Sequence, residues 1–281
     1  MSAIDQELKR VLKTGFREDF GFGDLTSNAL ESDELVKGAF ICKKDGFLSG
    51  VNAISTGYGL LDESINVTLL KSDGDPLKAG DLIAKVEGPA KTLLSGERVI
   101  LNILQHLSGI ATKTAEAVAA LDGSETRICD TRKTLPGIRA LQKYAVRCGG
   151  GFNHRMRLDD GVMIKDNHIA AIGSITQAVK AVRSTVGLMV KVEVECETEE
   201  QVKEAVEAGA DIIMLDNKTP EQASELIKLI PDSIIVELSG GITVETAGNY
   251  KNCGADYISL GSLTHSVTAL DISFILDNTI K

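Results

Sequence analysis

The stretch Ala208-Gly209-Ala210-Asp211-Ile212-Ile213-Met214-Leu215-Asp216 is echoed by Cys253-Gly254-Ala255-Asp256-Tyr257-Ile258-Ser259-Leu260-Gly261. In both copies a helical pattern stops at glycine, and an apolar run begins directly after Ala-Asp. A glycine that ends a helix followed at once by a strand marks an αβ unit. Repetition of that unit favours a parallel barrel over an open sheet.

Working outward from this repeat, short apolar runs alternate with helical ones from Thr126 onward. Strands are predicted at Arg127–Cys129, Met189–Glu195, Asp211–Leu215, Ile234–Glu237 and Tyr257–Leu260. Helices are predicted at Gly137–Cys148, Ile175–Thr185, Glu199–Ala208, Pro220–Leu229 and Val244–Asn252. Such alternation implies parallel strands joined by right-handed crossovers. The first part of the chain reads differently. Ile4, Leu8, Val11 and Leu12 recur at helical spacing. Ala39–Lys43, and Ile65, Val67 and Leu69 with polar residues between them, suit strands with one buried face. Asp73-Gly74-Asp75-Pro76 and Ala79-Gly80-Asp81 are turn signals. A long helix is expected from Ser95 to Leu121, with Val99, Ile100, Ile103, Leu104 and Leu107 on one side. Residues 1–110 are therefore expected to form a small α+β layer with an antiparallel sheet, and residues 111–281 the barrel.

At 281 residues, with 43% hydrophobic and 25% charged residues, the chain has the composition of an ordinary globular protein. Its longest charge-free stretch, Gly46 to Leu61, is broken by glycines and Asn52 and falls short of the ~20 apolar residues that span a bilayer. The opening Met-Ser-Ala-Ile-Asp-Gln-Glu-Leu-Lys-Arg has no apolar core of the signal-peptide kind. Five widely separated cysteines without a CxxC pair argue for a reducing, cytoplasmic setting and against a cysteine zinc site. The formal net charge of −10 disfavours nucleic acid as a partner. Arg127 to His168, however, carries nine Lys/Arg against four Asp/Glu, a local +5 that leaves −15 elsewhere. A basic island on an acidic protein suits a small anionic ligand.

Barrel chemistry gathers where the strands finish. Here those ends are Asp130-Thr131-Arg132-Lys133, Glu195, Asp216, Ser239-Gly240-Gly241 and Leu260-Gly261-Ser262. The two glycine-bearing loops let backbone N–H groups approach a phosphate. Arg132, Lys133, Arg155 and Lys165 sit among glycines and short turns. Arginines offer forked donors to carboxylates, and lysines offer point charges to phosphates. His154 can orient a carboxylate or transfer a proton. Two other readings stand beside an anion-binding enzyme of this kind. One is a Schiff-base aldolase using Lys165, which would need that lysine held uncharged although Asp166 follows it. The other is a barrel that only binds a phosphometabolite or a partner.

Several blocks together resemble the quinolinate phosphoribosyltransferase family nearly end to end. They are EDFGFGDLTS at 18–27, SGERVILNILQHLSGIAT at 95–112, DTRKTLPGIRALQKYAVRCGGGFNHR at 130–155 and IKDNH at 164–168. KVEVE at 191–195, MLDN at 214–217, SGGIT at 239–243 and LGSLTHSVTALDIS at 260–273 continue the match. The resemblance implies an N-terminal open-faced α/β sandwich and a C-terminal incomplete α/β barrel. It implies transfer of the phosphoribosyl group of 5-phosphoribosyl-1-diphosphate (PRPP) to quinolinate. The expected products are CO2, diphosphate and nicotinate mononucleotide, on the de novo route to NAD, with Mg2+ as cofactor. Arg98, Arg132, His154, Arg155 and Lys165 would then neutralise the quinolinate carboxylates. Lys133 would hold the diphosphate, Ser239–Gly241 with Leu260–Ser262 would meet the 5-phosphate, and Thr131 would belong to the substrate-binding set. Glu195 and Asp216 would meet the ribose hydroxyls directly or through Mg2+. Lys133, Lys165, Glu195 and Asp216 would be the catalytic set. The resemblance also implies a homodimer with shared sites, Arg98 being supplied in trans.

Overall fold

The computed structural model describes residues 2–29 and 34–276, which divide into two compact units. The first unit holds residues up to 115, then 134–150 and the segment from 263 onward. Its centre is a four-stranded antiparallel sheet in the order Ile272–Leu276, Leu35–Cys42, Leu82–Pro89, Asn66–Leu69. Period-two alternation divides the faces of this sheet. Phe40, Ala84 and Val86 are buried, whereas Lys37, Lys85, Glu87, Asn66 and Thr68 face outward. Helices Asn52–Leu61 and Ala90–Ala120 belong to this unit, the latter through Ala115. Tyr58 meets Phe40 edge-on at 6.3 Å, and Gly57 lets Ile100 approach closely. The opening helix Ala3–Phe20 starts in a capping box between Ser2 and Asp5 and buries Leu8, Leu12 and Phe16. The long helix begins earlier than Ser95, because it follows directly on Pro89, where strand pairing stops.

The second unit, residues 116–133 and 151–262, carries a six-stranded parallel sheet. Its order is Arg127–Cys129, Tyr257–Ser259, Ile235–Ser239, Ile212–Asp216, Val192–Cys196, Val162–Ile164. Among the described residues no ladder joins Arg127–Cys129 to Val162–Ile164, so the barrel is incomplete. Cys129 and Phe152 make an isolated bridge at that gap. Helices Ile175–Arg183, Glu199–Glu207 and Pro220–Ile227 each start at a hydroxyl cap, Ser174, Thr198 and Thr219 respectively, whose side chain accepts a backbone N–H. The helix expected to reach Asn252 stops at Ala247 and tightens into a 3-10 turn at Gly248–Tyr250.

The two compact units are not contiguous in sequence: helix Arg139–Cys148 and the last strand, which lie beyond residue 110, group with the first unit. Gln142 explains the helix: its Nε2 donates to Thr264 O at 3.0 Å and its Oε1 accepts Leu135 N–H. Strand Ile272–Leu276 pairs along Leu35–Cys42 from Cys42↔Ile272 to Gly38↔Leu276. No helix of the described residues is long and apolar enough to cross a membrane.

Candidate active site

Parallel pairing brings the expected strand ends to one rim of the second unit. Asp216 and Ser239 are register partners, and Glu195 follows the pair Val194↔Ile213. Lys165, one residue past Ile164, donates its Nζ to Glu195 Oε2. Burial, then the charge of Glu195, raises the proton affinity of Asp216, while Lys165 and Lys133 pull it back. Two carboxylates and two ammonium groups thus share one electrostatic neighbourhood.

The loops at this rim are built for close approach of backbone. Gly240 and Gly241 both have positive φ, at 83° and 66°. Asn217, the one described non-glycine residue at positive φ (54°), donates its N–H to Ser239 O at 3.0 Å. Asn tolerates this conformation better than other side chains, and that is the only sequence signal that could have singled it out. Ser259 Oγ donates to Ser239 Oγ at 3.0 Å, tying neighbouring strand ends. Leu260 differs from expectation. It is 0% exposed and gives its N–H to Cys129 O, so it packs in the core and leaves the rim to Gly261 and Ser262.

The basic segment is organised by a buried acid. Asp130 is 0% exposed; its Oδ1 accepts His154 N–H at 2.9 Å and its Oδ2 accepts Asn153 Nδ2 at 2.6 Å. Thr131 Oγ1 accepts Lys133 N–H, shaping the turn that carries Arg132. Arg155 donates Nη1 to Gly161 O at 2.7 Å, and burial together with the neighbouring Arg132 charge lowers its proton affinity. The two guanidiniums therefore lie within electrostatic reach of one another. Arg98 lies exposed on the helix Ala90–Ala120 of the first unit.

Both ring nitrogens of His154 are engaged inside the second unit. Nδ1 accepts Arg155 N–H at 2.7 Å, and Nε2 lies 3.1 Å from Glu193 Oε2 and 3.3 Å from Glu237 Oε2. Burial alone would lower the imidazole's proton affinity. Hydrogen bonds to Glu193 and Glu237, and then their charges, outweigh it and raise it to about 10. Burial likewise raises that of Glu193. Nδ1 accepts Arg155 N–H while Nε2 faces both carboxylates, so the raised affinity belongs to the imidazole and its two carboxylates as a unit. Sequence reasoning overlooked Glu193 and Glu237, although KVEVE places Glu193 on the same strand face as Glu195. A cavity of about 340 Å3 reaches this cluster from the strand starts, between Ile212, Ile235, Tyr257 and Lys191, at the opposite strand ends from Glu195 and Asp216.

Comparisons with known proteins agree with this architecture. The family model described as "Quinolinate phosphoribosyl transferase, C-terminal domain" matches residues 110–275, and its N-terminal counterpart matches residues 24–108. A probable nicotinate-nucleotide pyrophosphorylase [carboxylating] of Bacillus subtilis is 54% identical over 95% of this chain and 92% of its own length. The nicotinate-nucleotide pyrophosphorylase [carboxylating] of Mycobacterium leprae is 39% identical over 93% of this chain and 94% of its own. The crystal structure of NadC from Streptococcus pyogenes superposes with a TM-score of 0.94 at 40% identity, covering 99% of this chain and 98% of that one.

Proposed function

Because the chain belongs to the quinolinate phosphoribosyltransferase family, we propose that it transfers the phosphoribosyl group of PRPP to quinolinate, with loss of CO2, giving nicotinate mononucleotide. The observation that carries this reading is the rim on which Glu195, Asp216 and Lys165 meet beside the Ser239–Gly241 loop. The C1–O bond of PRPP breaks with its electron pair leaving on diphosphate, and C1 becomes electron-poor. Carboxylates already fixed at the rim stabilise that developing charge without reorganising. The quinolinate nitrogen then forms the bond to C1. Its new positive charge accepts the electron pair released when the C2–carboxylate bond breaks, and a proton closes the ring carbon. Arg132, Arg155 and Lys165 supply the cations that a dianionic substrate requires, with Arg98 as a further one. Lys133 and Thr131 suit the diphosphate, and the Ser239–Gly241 and Gly261–Ser262 backbones suit the 5-phosphate.

Magnesium fits the donor set. Glu195 and Asp216 are hard oxygen ligands, close enough that the charge of one raises the proton affinity of the other. When bound there, the cation supplies neutralisation of the charge on PRPP and its leaving group. We place the reaction in the cytoplasm, in a homodimer whose sites are shared. The test is mass spectrometry of a mixture of protein, PRPP, Mg2+ and quinolinate. Nicotinate mononucleotide that forms only when all are present supports the reading. A product that retains both carboxylates, or no product, overturns it.

A further inference from the structure

Asn217 is an odd choice for the bend it occupies. It follows Asp216 at the end of strand Ile212–Asp216, and its φ of 54° is a conformation that glycine adopts readily and other residues adopt under strain. Its N–H donates to Ser239 O at 3.0 Å, continuing the Ser239↔Asp216 register by one bond before the chain turns away. On an extended strand, neighbouring side chains point to opposite faces and cannot meet. The left-handed turn at Asn217 cancels that alternation, and its Nδ2 donates to Asp216 Oδ2. The same amide covers Gly240 of the adjoining loop, where a Cβ would fall 2.3 Å from Asn217 Oδ1 and 2.7 Å from its Cγ. One side chain thus touches both the carboxylate and the glycine loop. Asn217 is exposed, so burial does not explain it, and glycine would meet the demand of the backbone with less strain.

We infer that Asn217 is a positioning residue that sets the Asp216 carboxylate for its part in phosphoribosyl transfer. This rests on the reading above, in which Asp216 meets the ribose directly or through Mg2+. The last torsion of an aspartate is broad, so an untethered carboxylate samples many orientations. The amide of Asn217 pins Oδ2 and thereby fixes the direction of Oδ1. A carboxylate fixed before the reaction begins stabilises charge at C1 without reorganising. Because the amide also rests on Gly240, the carboxylate keeps a set distance from the loop proposed for the 5-phosphate. The two ends of the ribose phosphate are then gripped in one register.

The test compares Asn217→Gly with Asn217→Asp in the full chain, each also combined with Asp216→Ala. Glycine keeps the backbone and removes the donor. Aspartate keeps the shape and the oxygen over Gly240, but it replaces the donor with a second carboxylate oxygen. We expect kcat to fall about tenfold or more in Asn217→Gly and at least as far in Asn217→Asp, with KM for quinolinate within about twofold. The midpoint of thermal unfolding of Asn217→Gly should match wild type, because its backbone is unstrained. In the Asp216→Ala background either change should alter kcat by less than about twofold, since a residue that acts through Asp216 has nothing left to act on. An Asn217→Asp variant as active as wild type would show that the side chain only packs on the loop, and it overturns the inference. An undiminished loss in the Asp216→Ala background overturns it too. Where the double variants turn over too slowly to assay, spectra of 15N-asparagine-labelled protein decide. The side-chain amide signal that is missing from Asn217→Gly should shift when Asp216→Ala is introduced alone, and a signal that stays in place refutes the contact. A wild type that turns over no quinolinate counts against the functional reading, whereas an active wild type with an unaffected Asn217→Gly counts against this inference alone.

Discussion

Lys165 and Glu195 extend a parallel ladder by one residue each, beyond Ile164 and Val194, and meet through an ammonium–carboxylate hydrogen bond on the rim. The pair is a consequence of register: inward-facing positions at the ends of adjacent strands must lie side by side. Asp216 ends the next strand of the sheet, so the rim carries the fixed negative charge that the proposed reaction requires. Glu195→Ala and Asp216→Ala should each cut turnover by roughly 100-fold or more, while quinolinate alone still binds. Steady-state kinetics and a quinolinate titration check this together; lost quinolinate affinity with unchanged turnover per bound substrate would reverse the roles.

Gly240 tests the phosphate role proposed for the Ser239–Gly241 loop. A Cβ there would lie 2.3 Å from Asn217 Oδ1 and 2.7 Å from Asn217 N, in a backbone conformation with φ 83°. The strained φ alone costs an L-residue about 1–3 kcal/mol. Gly240→Ala should therefore raise KM for PRPP about tenfold or more and leave quinolinate affinity unchanged.

The barrel was legible because its evidence is local and repeated. Gly209 follows the end of a helix, Gly254 (φ 87°) turns the chain after the Gly248–Tyr250 turn, and the Ala-Asp that follows each leads into a strand. Strand ends followed from that, and with them Glu195, Asp216 and Ser239. The short strand Val162–Ile164 was missed, since three residues between Asp160-Gly161 and Lys165 show no period. Strand Ile272–Leu276 was missed for another reason: its partner, Leu35–Cys42, is remote in sequence, and no local pattern encodes such pairing. Glu193 and Glu237 were hidden by a rule that usually holds, namely that interior strand positions are apolar.

Asp24 gives a stability test within the first unit. Its carboxylate accepts hydrogen bonds from Ser27 Oγ, Ser27 N–H, Ser95 Oγ and Thr26 N–H, which hold its pKa at about 2. A carboxyl depressed in the folded state stabilises above its unfolded value, and that contribution fades as pH falls through the folded one. Asp24→Ala should therefore unfold at lower temperature than wild type near neutral pH. The gap should narrow between about pH 4 and pH 2. A gap that is constant down to pH 2 would show that the carboxylate's charge is not what stabilises.

The proposed homodimer with shared sites is tested by complementation of Arg98→Ala with Lys133→Ala after subunit exchange. Random pairing makes about half the dimers mixed, each with one intact site, so activity should return to about a quarter of wild type. Background activity after demonstrated exchange would place Arg98 in its own chain's site.

The most direct measurement of the central claim is release of labelled CO2 from quinolinate carrying the label in its 2-carboxylate, with and without PRPP, and with nicotinate as the competing acceptor. Cations matched to two carboxylates leave unpaired buried charge when one is missing, so nicotinate should be disfavoured by at least ~100-fold in kcat/KM. The account predicts PRPP-dependent CO2, one equivalent per diphosphate formed, and negligible nicotinate turnover. Label retained in the nucleotide product, or nicotinate used as readily as quinolinate, would contradict it.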